Sequence, residues 1–477
     1  MSFRTVVWVA VVAAAFALGV DRAVTWPIGH DEALTWMWYV AEPWSKSFTH
    51  FDANHHVLFT WLAKLSAATF GDDTWALRLP SMLALLVYLT ACARLASRSC
   101  DSLGFALCVF AAMTLGPRTL EYSFAARGYG GALAALAVAL VQLRRGSSGL
   151  AAGVALGVCV AFNLAFAWAV AGVGLAAWWI RIVDARGFLR MALLSGSIAG
   201  AICGGPLVGA SPSAFYFGAS GLAACADSLF VDGLRLPDQG WLLSLLTGGA
   251  PLDRFEFVRD VARIGIAAVF VGIAGRAVMR RSADHVGAAD RIPGVALVVA
   301  ATAAWIAHAA FDVPLPRERT ALWVSVLAPL AWAELARGPG AMRQVARGLL
   351  VVVATVLPLR TVTSTYFSEW WPDLRSIETI DAIVDDAVSS RRAGAVRVGS
   401  DWRVEPSLRH AVRDRTGSIL IDVARIAPGN APLVASAAPG DDYLVLFVDQ
   451  LARAAPIPGA TLLRRFEGTA IVRVGPR

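Results

Sequence analysis

A chain of 477 residues that is 57% hydrophobic and only 16% charged cannot build a water-compatible surface, and its mean hydropathy of +0.60 makes lipid its main solvent. The formal net charge of +7 does not point to nucleic acid. The basic residues fall in short clusters between apolar runs, where membrane topology accounts for them. Lys46 and Lys64 are the only lysines, so the arginine excess is a compositional bias and one isolated arginine carries little weight.

A helix crossing the hydrocarbon needs about 20 mostly apolar residues. On that measure the sequence predicts about eleven spans, near 4–20, 76–93, 103–118, 128–143, 149–163, 166–181, 189–209, 261–278, 292–311, 320–336 and 347–363. The apolar N-terminal run reads as an uncleaved first span rather than a signal peptide, because many spans follow it. The run 149–180 is too long for one span and breaks at Asn163. Residues 57–70 are apolar too, and fit a re-entrant or interfacial helix or a part of the second span.

Arginine clusters occupy alternate connections: Arg94 and Arg98, Arg144 and Arg145, Arg181 to Arg190, Arg276 to Arg281, and Arg337 to Arg347. The positive-inside rule assigns these to the cytoplasm, which leaves the N-terminus cytoplasmic and the tail outside an inner (cytoplasmic) membrane. Two of the external connections are long. Residues 21–56 carry Trp26, Trp36, Trp38 and Trp44, which suits helices lying at headgroup level. Residues 211–260 carry Gly, Pro and a few charges, as a lid over a cavity would.

From about residue 366 the composition turns polar, and short β-type runs alternate with helix-like stretches such as Glu405–Arg413. The β-type runs are Ala395–Val398, Ile419–Val423, Tyr443–Val448 and Ala470–Val474. The predicted fold is an all-α polytopic membrane domain over 1–365 followed by a small α/β extracytoplasmic domain over 366–477. No GxxxxGK[ST] loop is present and the glycine-rich stretches lie inside apolar helices, which argues against an ATP-driven pump. The cysteines show no CxxC or metal-like spacing.

Four clusters at outward span ends carry ionisable groups. The first is His30-Asp31-Glu32, just past the first span; helix capping is the bland reading and is compatible with catalysis. The second is Asp52-Ala-Asn54-His55-His56, whose histidines suit phosphate or substrate contact above a metal, which needs three or more ligands. The third runs from Glu121 and Tyr122 to Arg127 and Tyr129. Charges so near hydrocarbon are costly unless paired or used, and an Arg127–Glu121 pair or a snorkelling Arg127 would be purely structural. The fourth is Pro316-Arg317-Glu318-Arg319-Thr320. Two arginines in a short outward turn run against the positive-inside trend and suggest a bound anion. Together these groups suit a lipid-linked phosphate whose chain stays in the bilayer.

The order of these pieces resembles the GT-C superfamily of integral-membrane glycosyltransferases, in the branch of protein O-mannosyltransferases and the aminoarabinose transferase of lipid A. The matching residues are Asp31-Glu32, then Asn54-His55-His56-Val-Leu-Phe-Thr-Trp61, then Phe70-Gly71 and Trp75-Ala-Leu-Arg78-Leu-Pro80-Ser81. Ala126-Arg127-Gly-Tyr129 and Pro316-Arg317-Glu318-Arg319 follow. The match is dense across residues 20–130, patchy in the later spans and absent from the tail. His56-Val57 replaces the family's Pro-Pro, and Thr320 stands where a Tyr is customary; both bear on the substrate rather than the reaction class.

The resemblance implies an inverting transfer of a sugar from a polyprenyl-phosphate donor to a hydroxyl on a glycan, lipid or protein. Asp31 would be the general base, and Arg127, Arg317, Arg319 and His55 would meet the leaving phosphate. Glu32, His56, Glu121 and Tyr129 would bind or orient substrate. Some relatives use a divalent cation, for which Asp31, Glu121 and His55 are the candidate ligands. A flippase of lipid-linked sugars would put ionisable groups at span centres and show repeat symmetry, neither of which is seen. Asp31-Glu32 and the arginine turn argue against a non-catalytic assembly subunit on the same scaffold.

Overall fold

The computed structural model describes residues 1–146, 149–215, 217–226, 228, 272, 285–338, 340–363, 375–390, 395–413, 420–426, 441–447, 450–451, 459–466 and 469–474. The helices of the first half are α1 (Phe3–Thr25), α2 (His30–Thr35), α3 (Trp44–Thr49), α4 (Val57–Phe70), α5 (Thr74–Ser99), α6 (Leu103–Thr114), α7 (Pro117–Phe124), α8 (Tyr129–Arg144) and α9 (Leu150–Phe162). They continue as α10 (Ala167–Trp179), α11 (Ala185–Val208), α12 (Leu222–Ala226), α13 (His285–Ala289), α14 (Ile292–Phe311), α15 (Val324–Leu335), α16 (Ala341–Thr363), α17 (Ser376–Ser389) and α18 (Glu405–Arg413). Contacts divide the chain into two compact units. One comprises Met1–Val24 and Pro43–Thr365, the other Thr25–Glu42 and Tyr366–Arg477. Residues 25–42, expected with the membrane domain 1–365, pack instead with the tail.

In the membrane unit, every expected span coincides with a helix except 261–278, which apart from residue 272 lies outside the described residues. Among the described residues, length and composition qualify five helices as membrane-crossing: Phe3–Thr25, Thr74–Ser99, Ala185–Val208, Gly287–Phe311 and Arg343–Val362. A sixth arises if α6 and α7, bent by 62° where Pro117 restarts the helix after Gly116, form one broken span. The expected count of about eleven is not confirmed by this criterion: among the described residues α4, α8, α9, α10 and α15 are apolar but short. The run 57–70 is a helix of its own, ended by Gly71 at φ +88°. Of the expected lid over 211–260, only 211–215, 217–226 and 228 are described.

Small residues set the packing of α8 against its neighbours. A β-carbon at Gly131 would sit 2.4 Å from the Phe162 ring, and one at Gly157 of α9 would sit 2.9 Å from the Ser195 carbonyl of α11. The apolar run 149–180 does break at Asn163. Its backbone turns extended (φ −157°, ψ 115°) and its side-chain oxygen accepts the Ala165 N–H at 3.0 Å, capping a short 3-10 turn Leu164–Phe166. The far ends of α5, α8 and α15 are tied by a buried carboxylate. Asp290 takes Arg144 at 2.5 Å and also pairs with Arg337, while both arginines donate onward to the carbonyls of Leu95 and Arg98.

In the tail unit a five-stranded sheet has the order β2-β1-β3-β5-β4. Its strands are β1 (Val396–Ser400), β2 (Ile421–Arg425), β3 (Tyr443–Phe447), β4 (Thr461–Arg465) and β5 (Thr469–Arg473). β1 runs parallel to β2 and β3, whereas β5 pairs antiparallel with β3 and β4. Central β3 is buried along its whole length. One face packs Ile380, Ile383 and Leu408 of α17 and α18, and the other packs Leu444, Leu446 and Val472. The expected β runs fall on β1, β2, β3 and β5. Edge strand β4 escaped notice because Thr461–Arg465 is almost wholly exposed and has no buried alternate face.

Candidate active site

The arginine turn is built by close backbone approach. Leu315 exchanges both backbone hydrogen bonds with Ala219, at 2.8 and 2.9 Å. A β-carbon at Gly218 would lie 2.4 Å from Pro314 Cβ, so only glycine lets the strands meet. The Cys225 thiol donates to the Pro316 carbonyl at 3.0 Å, and Arg118 donates to the Ser228 carbonyl at 3.0 Å. Glu318 then adopts a left-handed φ of +48°, a strained choice for a residue with a side chain. Thr320 holds the turn: its hydroxyl accepts the Arg317 N–H and donates to the Arg317 carbonyl, both at 2.8 Å. Arg317 is half-exposed and pairs with the neighbouring Glu318 at 2.8 Å. The Arg319 guanidinium lies 4.2 Å from the Phe217 ring, a cation–π placement that fixes its charge.

The histidine turn meets this arginine turn electrostatically. Asp52 accepts the Asn54 N–H at 2.6 Å, which shapes the turn so that His56 precedes α4. Both imidazoles are buried. Burial pushes the His55 ring down to about 4, and burial followed by the charges of Arg127 and Arg319 pushes His56 well below the usual range. Both rings are therefore neutral at pH 7. His55 Nδ1 lies 2.8 Å from the His50 carbonyl, which can only accept, so Nδ1 carries the proton and Nε2 presents a lone pair. That lone pair suits a hydroxyl proton better than a phosphate oxygen.

Arg127 and Arg319, far apart in sequence, thus act on one histidine. Tyr129 joins them, with its ring 5.0 Å from His56, 4.9 Å from Tyr122 and 5.6 Å from the Arg127 guanidinium carbon. Gly128 wedges beneath: a β-carbon there would lie 1.9 Å from the Phe162 carbonyl oxygen and 2.8 Å from His56 Cβ. Glu121 is buried on α7. Arg22 of α1 lies within Coulombic reach of it, a partner the sequence reading did not single out, and Arg22 also donates to the Thr361 carbonyl. Arg78 is fully buried and donates to the Ala23 carbonyl at 3.0 Å.

A mostly apolar groove opens beside the arginine turn. It follows α15 from Glu318 through Leu322 and Ala328 to Trp332, facing Val353 and Leu357 of α16. Arg118, Thr119 and Ser325 supply its polar lining.

In the tail unit, α2 starts at His30, with Gly29 as its N-cap. Glu32 is the capping acid: its Oε2 accepts the Gly29 N–H at 2.7 Å. Asp31 is buried in the first turn of the same helix. His30 donates from Nδ1 to the Arg403 carbonyl at 2.8 Å, Ser407 donates to the Ile28 carbonyl at 3.3 Å, and Trp36 meets the His410 ring edge at 5.0 Å. Asp401 braces Arg403 with two side-chain bonds of 2.8 and 3.0 Å and takes Gln450 at 2.8 Å. Burial raises the Asp401 carboxyl, but the bonds from Arg403 and Gln450 outweigh it and hold the group below its ordinary value. Among the described residues no three His, Cys, Asp or Glu side chains converge as a metal site.

No family model matches the sequence, and no curated protein does. Among solved structures, the chain is similar to ArnT from Cupriavidus metallidurans bound to undecaprenyl phosphate, at 15% identity and a TM-score of 0.40 over 99% of each chain. It is also similar to the Archaeoglobus fulgidus oligosaccharyltransferase in complex with Zn and sulfate, at 12% identity and a TM-score of 0.48, over 92% of this chain and 68% of that one.

Proposed function

We propose that the chain is an integral-membrane glycosyltransferase that moves a sugar from a polyprenyl phosphate to a hydroxyl acceptor at the outer face of the inner membrane. The observation that carries this reading is the pairing of two arginine-bearing turns with an apolar groove at their side. Arg127 and Arg319 share one neutral histidine, and the groove along α15 begins at Glu318 of the arginine turn. Such a site takes an anionic headgroup at one end and a hydrocarbon chain along the other.

In the reaction, the acceptor oxygen attacks the anomeric carbon and forms the new glycosidic bond with inversion. The bond from that carbon to the phosphate oxygen breaks, and its electron pair leaves with the lipid phosphate. Asp31 takes the hydroxyl proton as general base, a role worth about 10²–10⁴ in rate. Arg127, Arg319 and the more exposed Arg317 stabilise the charge gathering on the phosphate, each fixed donor contributing about 10²–10³. Glu32 holds the start of α2, and with it the carboxylate of Asp31. His55 and His56, being neutral, contribute hydrogen bonds rather than charge. The retained energy of the phosphosugar bond drives the transfer without ATP.

Mass spectrometry of lipid-linked sugars and envelope glycans in a deletion strain tests this. The expected result is one accumulated polyprenyl-phosphate sugar and the loss of that sugar from one acceptor. Unchanged pools of both would overturn the reading.

A further inference from the structure

The break at Asn163 places an amide where apolar helices would otherwise run on. Asn163 is only 4% exposed, and its oxygen is engaged by the Ala165 N–H, yet its Nδ2 has no hydrogen-bond partner among the described residues. The same is true of His56 Nε2, on a residue 6% exposed, and of Thr60 Oγ1, one turn along α4. Buried polar atoms are nearly always paired, so orphans gathered in one region mark a place that something else completes. These orphans adjoin the proposed site. The carbonyl of Phe162, next to Asn163, faces Gly128 together with His56 Cβ, and the 3-10 turn that Asn163 caps packs on the 3-10 turn Glu318–Ala321 of the arginine segment.

The orphans differ from the arginines in carrying no charge. Asn163 offers amide protons, and neutral His56 offers a ring nitrogen beside the Tyr129 ring. Phosphate is already matched by Arg127 and Arg319. What an uncharged donor and a neutral imidazole beside an aromatic ring match is a polyhydroxylated, uncharged ring attached to that phosphate. We propose that Asn163 and His56 form the subsite that binds hydroxyls of the donor's sugar, and that it reads which sugar is carried. This rests on the glycosyl-transfer reading above.

The test compares binding of bare undecaprenyl phosphate with undecaprenyl phosphates carrying mannose, glucose, galactose or arabinose, on the purified full-length protein. Asn163→Ser keeps an oxygen to cap Ala165 and removes the amide; Asn163→Asp keeps the shape and the cap oxygen, and serves where the serine variant does not fold. The wild type should bind one sugar-bearing lipid at least tenfold more tightly than the bare lipid. The variants should lose about tenfold for that lipid while binding bare undecaprenyl phosphate within twofold of wild type. Equal affinities for both lipids in the wild type, or variants that keep the sugar preference, would overturn the subsite and leave the transferase reading standing. A variant losing both lipids equally would reassign Asn163 to structure. A wild type that binds no polyprenyl phosphate at all would overturn the transferase reading and the subsite with it.

Discussion

Gly128→Ala adds a single methyl at the junction of the arginine and histidine turns. The glycine has ordinary helical backbone angles (φ −69°, ψ −4°), so its value is space, not conformational freedom. The new carbon would lie 1.9 Å from the Phe162 carbonyl oxygen and 2.8 Å from His56 Cβ. Opening 1.9 Å to even 3.0 Å takes about 1.1 Å of movement, and the nearer atom is backbone, which cannot rotate aside. Overpacking of this kind destabilises by about 1–3 kcal/mol. A shift of ~1 Å among groups that position a reacting phosphosugar lowers turnover about 100-fold. The assay is transfer from the preferred undecaprenyl-phosphate sugar alongside the unfolding midpoint, with Gly104→Ala as control, since a β-carbon there meets nothing within 4 Å. A folded Gly128→Ala protein with near-normal turnover would refute the placement of Gly128 at the heart of the site.

Three further outcomes follow from the geometry. Asp290→Asn removes the shared partner of Arg144 and Arg337 and leaves Arg144 buried with its charge uncompensated. Unfolding should show a loss of about 3–5 kcal/mol, and a neutral result would mean the ends of these helices are held by other contacts. His55 is neutral when folded, with its folded value depressed from 6.5 to about 4. Its contribution is therefore fully present above pH 6.5 and lost as pH falls from 6.5 toward 4, by up to about 3 kcal/mol at 1.36 kcal/mol per unit. His55→Gln should flatten that part of the stability profile, and an unchanged acid limb would contradict it. Arg319→Ala should weaken undecaprenyl phosphate binding about 10- to 100-fold, the range of a charge-assisted bond; unchanged affinity would reassign Arg319 to shaping the turn.

Hydropathy located the helices because each must be apolar to sit in lipid or against other helices, but it could not fix how many cross. A helix such as Leu150–Phe162 is apolar throughout but only 13 residues long, short of the ~20 a crossing helix needs, so hydropathy alone leaves it ambiguous. The arginine turn stood out in the sequence because Arg317 and Arg319 run against the charge bias expected of an outward connection. Glu32 was legible as an acid favouring a helix's first turn, but its bond to the Gly29 N–H was not. Asn163 was visible as a break in a long apolar run, yet its orphaned amide was not, since pairing depends on contacts distant in sequence. The same holds for Gly128, whose constraint comes from Phe162, and for Asp290, whose partners lie on separate helices. The packing of residues 25–42 with the tail was hidden for a related reason. It rests on His30, Ile28 and Trp36 meeting Arg403, Ser407 and His410 more than 350 residues later.

The account turns on Asp31 as the proton acceptor. Asp31→Asn keeps the size and helix position of the side chain and removes the basic carboxylate. With the preferred undecaprenyl-phosphate sugar and its acceptor, turnover should fall about 10²- to 10⁴-fold while undecaprenyl phosphate binding and the unfolding midpoint stay at wild-type values. Turnover close to wild type in that variant would contradict the mechanism.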